Sequence, residues 1–163
     1  MADPFTLSRH THDGLGIAAV MARKGVDAAA IGASLDVALT DGPVLSRRSD
    51  MLLVGTGPGC WLAIAESAAP DFASALAARL TGLASVSDQS SGYSVTRIAG
   101  EGARRLLQRG AAIDLHPAAF AAGSVATTII AHIGVILWQV DDAPTYDIAT
   151  FRSFAGSFSH WLD

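Results

Sequence analysis

Two apolar runs, Met51 to Val54 and Cys60 to Ala65, stand either side of Gly55-Thr56-Gly57-Pro58-Gly59. Runs this short, separated by glycine and proline, turn the chain back on itself, so the stretch predicts two antiparallel strands joined by a hairpin. Glycines after a strand also invite a dinucleotide-binding reading, and three features oppose it. The third glycine of Gly-x-Gly-x-x-Gly falls on Cys60. Pro58 removes a backbone N–H that a phosphate would use. The residues that follow, Cys60-Trp61-Leu62, are extended in character and do not open a helix.

The rest of the chain is punctuated in the same way. Leu15 to Ala22 reads as a strand. Asp27 is placed as an acidic cap for a helix over Ala28 to Leu39, with apolar residues at 31, 35, 38 and 39. Val44 to Asp50, with Arg47 and Arg48, reads as a connection. Ala69 to Leu80 is a second helix ended by Gly82, and Ala84 to Val86 a short strand. Ser87 to Gly92 is a polar turn, since Asp and Ser favour turns and no base is placed to make Ser90 or Ser91 a nucleophile. Tyr93 to Ala99 alternates as a strand does. Glu101 to Gln108 is a helix that turns Arg104, Arg105 and Arg109 outward and is capped by Gly110. Strands follow at Ser124 to His132, Val135 to Val140 and Tyr146 to Thr150, with Ile133-Gly134 read as the first turn between them. A last helix, Phe151 to Leu162, carries a packing stripe of Phe154, Phe158, Trp161 and Leu162. The expected fold class is α+β, with two similar halves on a duplicated ferredoxin-like plan. The expected boundaries are an N-terminal arm over residues 1–13 and one domain over 14–163, its halves meeting near residue 87 (14–87 and 88–163).

Composition narrows the function classes. Hydrophobic residues make up 50% of the chain and charged ones only 16%, which argues against disorder and leaves apolar surface that is either exposed or covered by a partner. The net charge is −4, only Lys24 among eleven basic residues is a lysine, and no basic stripe suits a nucleic acid. No apolar run approaches the ~20 residues of a membrane span. The one cysteine, Cys60, fits a reducing compartment, and the polar N-terminus has no secretory core, so the cytoplasm is the expected location. His10 and His12 form a His-x-His pair whose rings share one side of an extended segment, where a metal could use them, or are simply solvated in the arm. His132 reads as a structural histidine. Paired carboxylates, a nucleophile with its base, and a ligand cluster are not visible in the sequence.

One loop stands out. Gly110 to Gly123 holds the only His-Pro in the chain, His116-Pro117, two residues after Asp114. The string Gly110-Ala111-Ala112-Ile113-Asp114-Leu115-His116-Pro117-Ala118-Ala119-Phe120 resembles the gamma subunit family of heterotetrameric sarcosine oxidase. So do Gly57-Pro58-Gly59-Cys60-Trp61-Leu62, Asp88-Gln89-Ser90, Gly100-Glu101-Gly102-Ala103-Arg104, Leu137-Trp138, Arg152-Ser153-Phe154-Ala155 and Trp161-Leu162. The likeness runs from about Gly14 to Leu162. It departs at Gly102-Ala103, where the family often has a proline. It implies a fold similar to the tetrahydrofolate-binding domain of the glycine-cleavage aminomethyltransferase. It also implies a subunit without catalytic, cofactor-binding or metal-binding residues of its own, in a complex that oxidatively demethylates sarcosine to glycine. FAD, FMN, NAD and tetrahydrofolate would then sit on the large and small partner subunits. Arg104, Asp114, His116 and Phe120 are the expected subunit contacts. Proline after His116 holds that residue extended and fixes how its ring is presented; equally, Asp114 and His116 serve their own loop backbone. The competing expectation is a free-standing binder of folate or another small molecule, argued from fold alone.

Overall fold

The computed structural model describes residues 6–163. Ten strands and four helices run in the order β1 (Ser8–Thr11), β2 (Gly16–Ala22), α1 (Ala28–Leu35), β3 (Leu45–Arg48), β4 (Met51–Gly57), β5 (Cys60–Ala65), α2 (Phe72–Arg79), β6 (Ala84–Asp88), β7 (Tyr93–Ala99), α3 (Ala103–Gln108), β8 (Val125–Ile130), β9 (Ile133–Asp141), β10 (Thr145–Phe151) and α4 (Ala155–Leu162) among these residues. The chain divides into two compact units: one holds Asp13–Ser91, the other Gly92–Asp163 together with the residues up to His12. Each is an antiparallel sheet with its helices, which is the expected α+β class.

In the first unit the strand order is β3-β4-β5-β2-β6. Without edge strand β3 this is the order of a ferredoxin-like β-α-β-β-α-β unit. Asp27 caps α1 as its sequence position predicts, its Oδ1 accepting from Ala30 N at 2.9 Å. The helix stops at Leu35, four residues early, because Asp36 turns left-handed at φ +56°. Leu39 is still buried, from the segment beyond the helix. Ile31 and Leu35 of α1 pack with Leu76 of α2 against Val20, Leu53 and Trp61 of the sheet. Trp61 is 1% exposed, and its indole N–H donates to Thr40 O at 3.1 Å. The glycine cluster is a hairpin, since Gly57 pairs with Cys60 across Pro58-Gly59. Gly55 is held to glycine by packing: a Cβ there would lie 1.8 Å from Gly42 O.

In the second unit the order is β1-β7-β10-β9-β8. Matched position by position to the first sheet, β8, β9, β10 and β7 correspond to β3, β4, β5 and β2. The place of β6 is taken by β1. Here the expectation of an arm over residues 1–13 is corrected: Ser8–Thr11 pairs with Ala99–Thr96 of β7, while residues 1–5 lie outside the described residues. The strand is held by side chains as well. Arg9 donates to Asp163 Oδ1 at 2.7 Å and to Ser159 O at 3.2 Å. The expectation of a bare connection at 44–50 is corrected too, since Leu45–Arg48 is edge strand β3.

The β8–β9 turn sits two residues earlier than expected, at Ala131 and His132, with φ of +48° and +68°. Positive φ at both central positions is what a two-residue hairpin needs to match strand twist. His132 is therefore an exposed turn residue and not a packed strand end. Gly110 does not cap α3 by turning left-handed. It is small because a Cβ would lie 2.6 Å from Trp161 Cζ2. The stripe on the last helix is split: Phe158 and Leu162 are buried with Leu107, Leu137 and Tyr146, whereas Phe154 is 48% exposed.

Candidate functional site

The loop that carries His116 is pinned from three sides. At its start Ala112 N donates to Ile129 O at 3.1 Å and Ala131 N to Gly110 O at 3.1 Å, which stitches it to edge strand β8. In the middle the Gln108 side chain clamps it, Nε2 donating to Ile113 O at 2.8 Å and Oε1 accepting from Leu115 N at 2.9 Å. From within, Leu115 (0% exposed) and Phe120 (5%) plug into the core of the second unit. The His-Pro tip is the part left outside, between those two pegs.

At the tip, Asp114 Oδ1 accepts from His116 N at 2.8 Å, an Asx turn. His116 Nδ1 accepts from Ala118 N at 3.2 Å, and His116 O accepts from Ala119 N and Phe120 N, both at 2.8 Å. With Nδ1 an acceptor, this hydrogen bond assigns the proton of the neutral ring to Nε2, on the exposed side chain. Of the four expected contact residues, Asp114 and His116 are exposed and Arg104 is half-buried. Phe120 is corrected: its ring fills the core, because the loop needs an apolar anchor after the proline, so it offers no face to a partner.

Asp114 and His116 form one wall of an open cleft of about 590 Å³ whose other wall is α3 and its two ends, through Glu101, Arg104, Arg105, Gln108 and Arg109. Arg104 Nε donates to the buried Tyr146 hydroxyl at 3.1 Å. Burial pushes the Tyr146 phenol above its ordinary range, and the adjacent Arg104 guanidinium offsets part of that. Sequence reasoning missed Gln108 and Tyr146 as the groups that set this wall. Neither carries a local signal, since each acts on residues its spacing does not reveal.

The other candidates are structural. His10 and His12 do share a side, with ring centroids 5.3 Å apart, but they belong to β1 and its end and not to a floppy arm; His10 is exposed and His12 half-buried. His12 Nε2 lies 3.4 Å from Asp147 Oδ1, and Arg97 grips both Asp147 oxygens at 2.8 Å. A buried carboxylate so gripped is a counter-ion that ties β1, β7 and β10 together. Ser90 is equally occupied, taking Ile17 N at 3.0 Å and donating its own N–H to Asp88 Oδ1 at 2.9 Å. That bonding holds the Asp88 carboxyl below its usual range. Among the described residues no three His, Cys, Asp or Glu side chains are grouped to hold a metal ion, and no helix is long and apolar enough to cross a membrane.

The model of the sarcosine oxidase, gamma subunit family matches residues 16–163. The chain belongs to that family. Sarcosine oxidase subunit gamma of Corynebacterium sp. (strain P-1) is 31% identical over 148 residues, covering 91% of this chain and 72% of the relative. The Arthrobacter sp. subunit gamma is 31% identical over 137 residues, covering 82% and 66%. A chain of the heterotetrameric sarcosine oxidase from Corynebacterium sp. U-96, solved with pyrrole 2-carboxylate, matches with a TM-score of 0.88 at 26% identity, over 99% of this chain and 84% of that one. Aminomethyltransferase T of the glycine cleavage system from Bartonella henselae shares the fold, with a TM-score of 0.69 at 12% identity over 96% of this chain and 45% of that one. Both the gamma subunit resemblance and the aminomethyltransferase-like fold expected from the sequence are thereby met.

Proposed function

We propose that this chain serves as the gamma subunit of a heterotetrameric sarcosine oxidase, giving shape and contact surface to a complex whose other subunits oxidatively demethylate sarcosine to glycine. The observation that carries the reading is the family match along residues 16–163 together with the close structural likeness to a chain of that heterotetramer. The bonding of the candidate groups supports a non-catalytic role: Ser90, Asp147 and His116 Nδ1 are each engaged in holding the fold. FAD, FMN, NAD and tetrahydrofolate belong, on this reading, to the partner subunits, with tetrahydrofolate as the one-carbon acceptor. The wall formed by half-buried Arg104 with exposed Asp114 and His116 faces a partner on this reading, while Phe120 sets the loop from beneath. The single cysteine fits assembly in the cytoplasm.

The test is to purify the chain alone and to assay it for sarcosine turnover and retained flavin. Neither activity nor flavin is expected. Turnover by the isolated chain, or a tightly held flavin, would contradict the proposal.

A further inference from the structure

The cleft beside α3 is distinctive in its chemistry. Three of the chain's eleven basic residues, Arg104, Arg105 and Arg109, line one hollow in a protein whose net charge is −4. Every described lining residue is polar or charged. The arginine guanidinium groups, and not an enclosed apolar chamber, set the charge of this open cleft. Arginine forks match carboxylates, and arginine is enriched at protein contacts. A second hollow, of about 350 Å³, shares Arg105 and Arg109 with the first and adds Leu7, Leu106 and Gly102. The two arginines are thus a ridge with a charged hollow on one side and an apolar one on the other. Leu7 is 42% exposed at the edge of the second hollow.

The helix that carries the ridge is fixed in place. Ala103 and Leu107 seat α3 in the core with no exposure, Arg104 is bonded to Tyr146, and Gln108 is committed to the loop. Side chains presented from a fixed helix lose less entropy on binding than side chains of a mobile loop. Glu101 and Asp114 on the same rim oppose a polyphosphate backbone and set a register for a carboxylate between them.

We propose that the Arg105–Arg109 ridge docks an acidic segment of a partner subunit that also carries a large apolar side chain, the carboxylates meeting the arginines and the apolar group covering Leu7 and Leu106. This rests on the reading of the chain as a gamma subunit.

The experiment measures binding of the full-length chain to the other subunits of the complex, for wild type, R105E/R109E, L7S and R23E/R47E, with thermal melting of each. R23E/R47E changes net charge equally at exposed arginines of the first unit. R105E/R109E is expected to weaken binding by ~10-fold or more, with R23E/R47E within about twofold of wild type. L7S is expected to lose about threefold, and raising salt from about 50 to about 500 mM to weaken wild type but not the ridge variant. If R105E/R109E lowers the melting temperature, R105Q/R109Q is used and about a fivefold loss is expected. Ridge variants that bind within about twofold of wild type would overturn the proposal while leaving the subunit reading intact. So would ridge-dependent retention of single-stranded RNA with unchanged subunit binding. A wild-type chain that binds none of the subunits would overturn both.

Discussion

The two units share a strand order and differ in what lies on it. In each, a helix follows the second-innermost strand: α1 in the first unit and α3 in the second. The first of these reads Ala-Ala-Ala-Ile-Gly-Ala-Ser-Leu and is capped by Asp27. The second reads Ala-Arg-Arg-Leu-Leu-Gln and has no side-chain cap. The links that follow differ as strongly. Residues 36–44 close the first unit tightly, with Gly42 O packed against Gly55. Residues 109–124 form the pegged loop that lifts His116 and Asp114 to the surface beside the arginines. A repeated scaffold therefore carries charged, presented chemistry on one copy and nearly neutral helix on the other. Packing is common to both; the two units differ in the surface they present.

The largest effect that tests this contrast is removal of a loop peg. Leu115→Ala is expected to cost about 2–5 kcal/mol in urea unfolding, as a fully buried leucine in a helix or strand would. A loss well under that would mean the loop is not part of the second core, and the comparison would fail. Next in size is Asp147→Ala, which removes the shared counter-ion of Arg97 and His12. Because the Arg97 side chain is 37% exposed, the expected cost is about 1–3 kcal/mol and not the full value of a buried pair. Asp27→Ala sharpens the helix comparison: losing the cap should cost about 1 kcal/mol, read by the same unfolding curves.

The smallest effects are in pH. Both tyrosines of the chain, Tyr93 and Tyr146, lie in the second unit, and burial raises both phenols. A raised phenol stays protonated in the folded state when the unfolded chain has begun to ionise. Its contribution is complete below the ordinary value of about 10 and is lost as pH rises above it. In the first unit Asp50, bonded by Arg48, and Asp88, bonded by Ser90, titrate below their ordinary value. Their contribution is present above that value and is lost as pH falls through their lowered range. Segment-resolved hydrogen exchange should show the second unit losing protection as pH rises above about 10 and the first unit losing the contribution of Asp50 and Asp88 as pH falls. Tyr146→Phe should flatten part of the alkaline slope.

Elements with an apolar period were legible in the sequence. The Met51–Ala65 hairpin, the capped start of α1, and the strand-helix order of both halves follow from alternation and glycine placement. What was hidden has a common cause. Strand β1 is exposed at all four residues and carries no apolar alternation, so only its pairing with β7 defines it. Strand β3 is short, and its one buried residue, Ser46, is polar, taking Thr40 N at 3.1 Å. At the site, Asp114 and His116 stood out through the His-Pro string. The part of Phe120 was not readable, because an aromatic in a loop gives no sign of whether it points to solvent or to core. Gln108 and Tyr146 depend on tertiary placement alone.

The most direct measurement is the composition of the complex when the tagged chain is co-expressed with the other three subunits and resolved by size exclusion with mass analysis. The account predicts that the chain co-elutes with all three in equal amount and with sarcosine oxidation activity. A chain that elutes by itself while the other subunits assemble into an active enzyme without it would contradict the account.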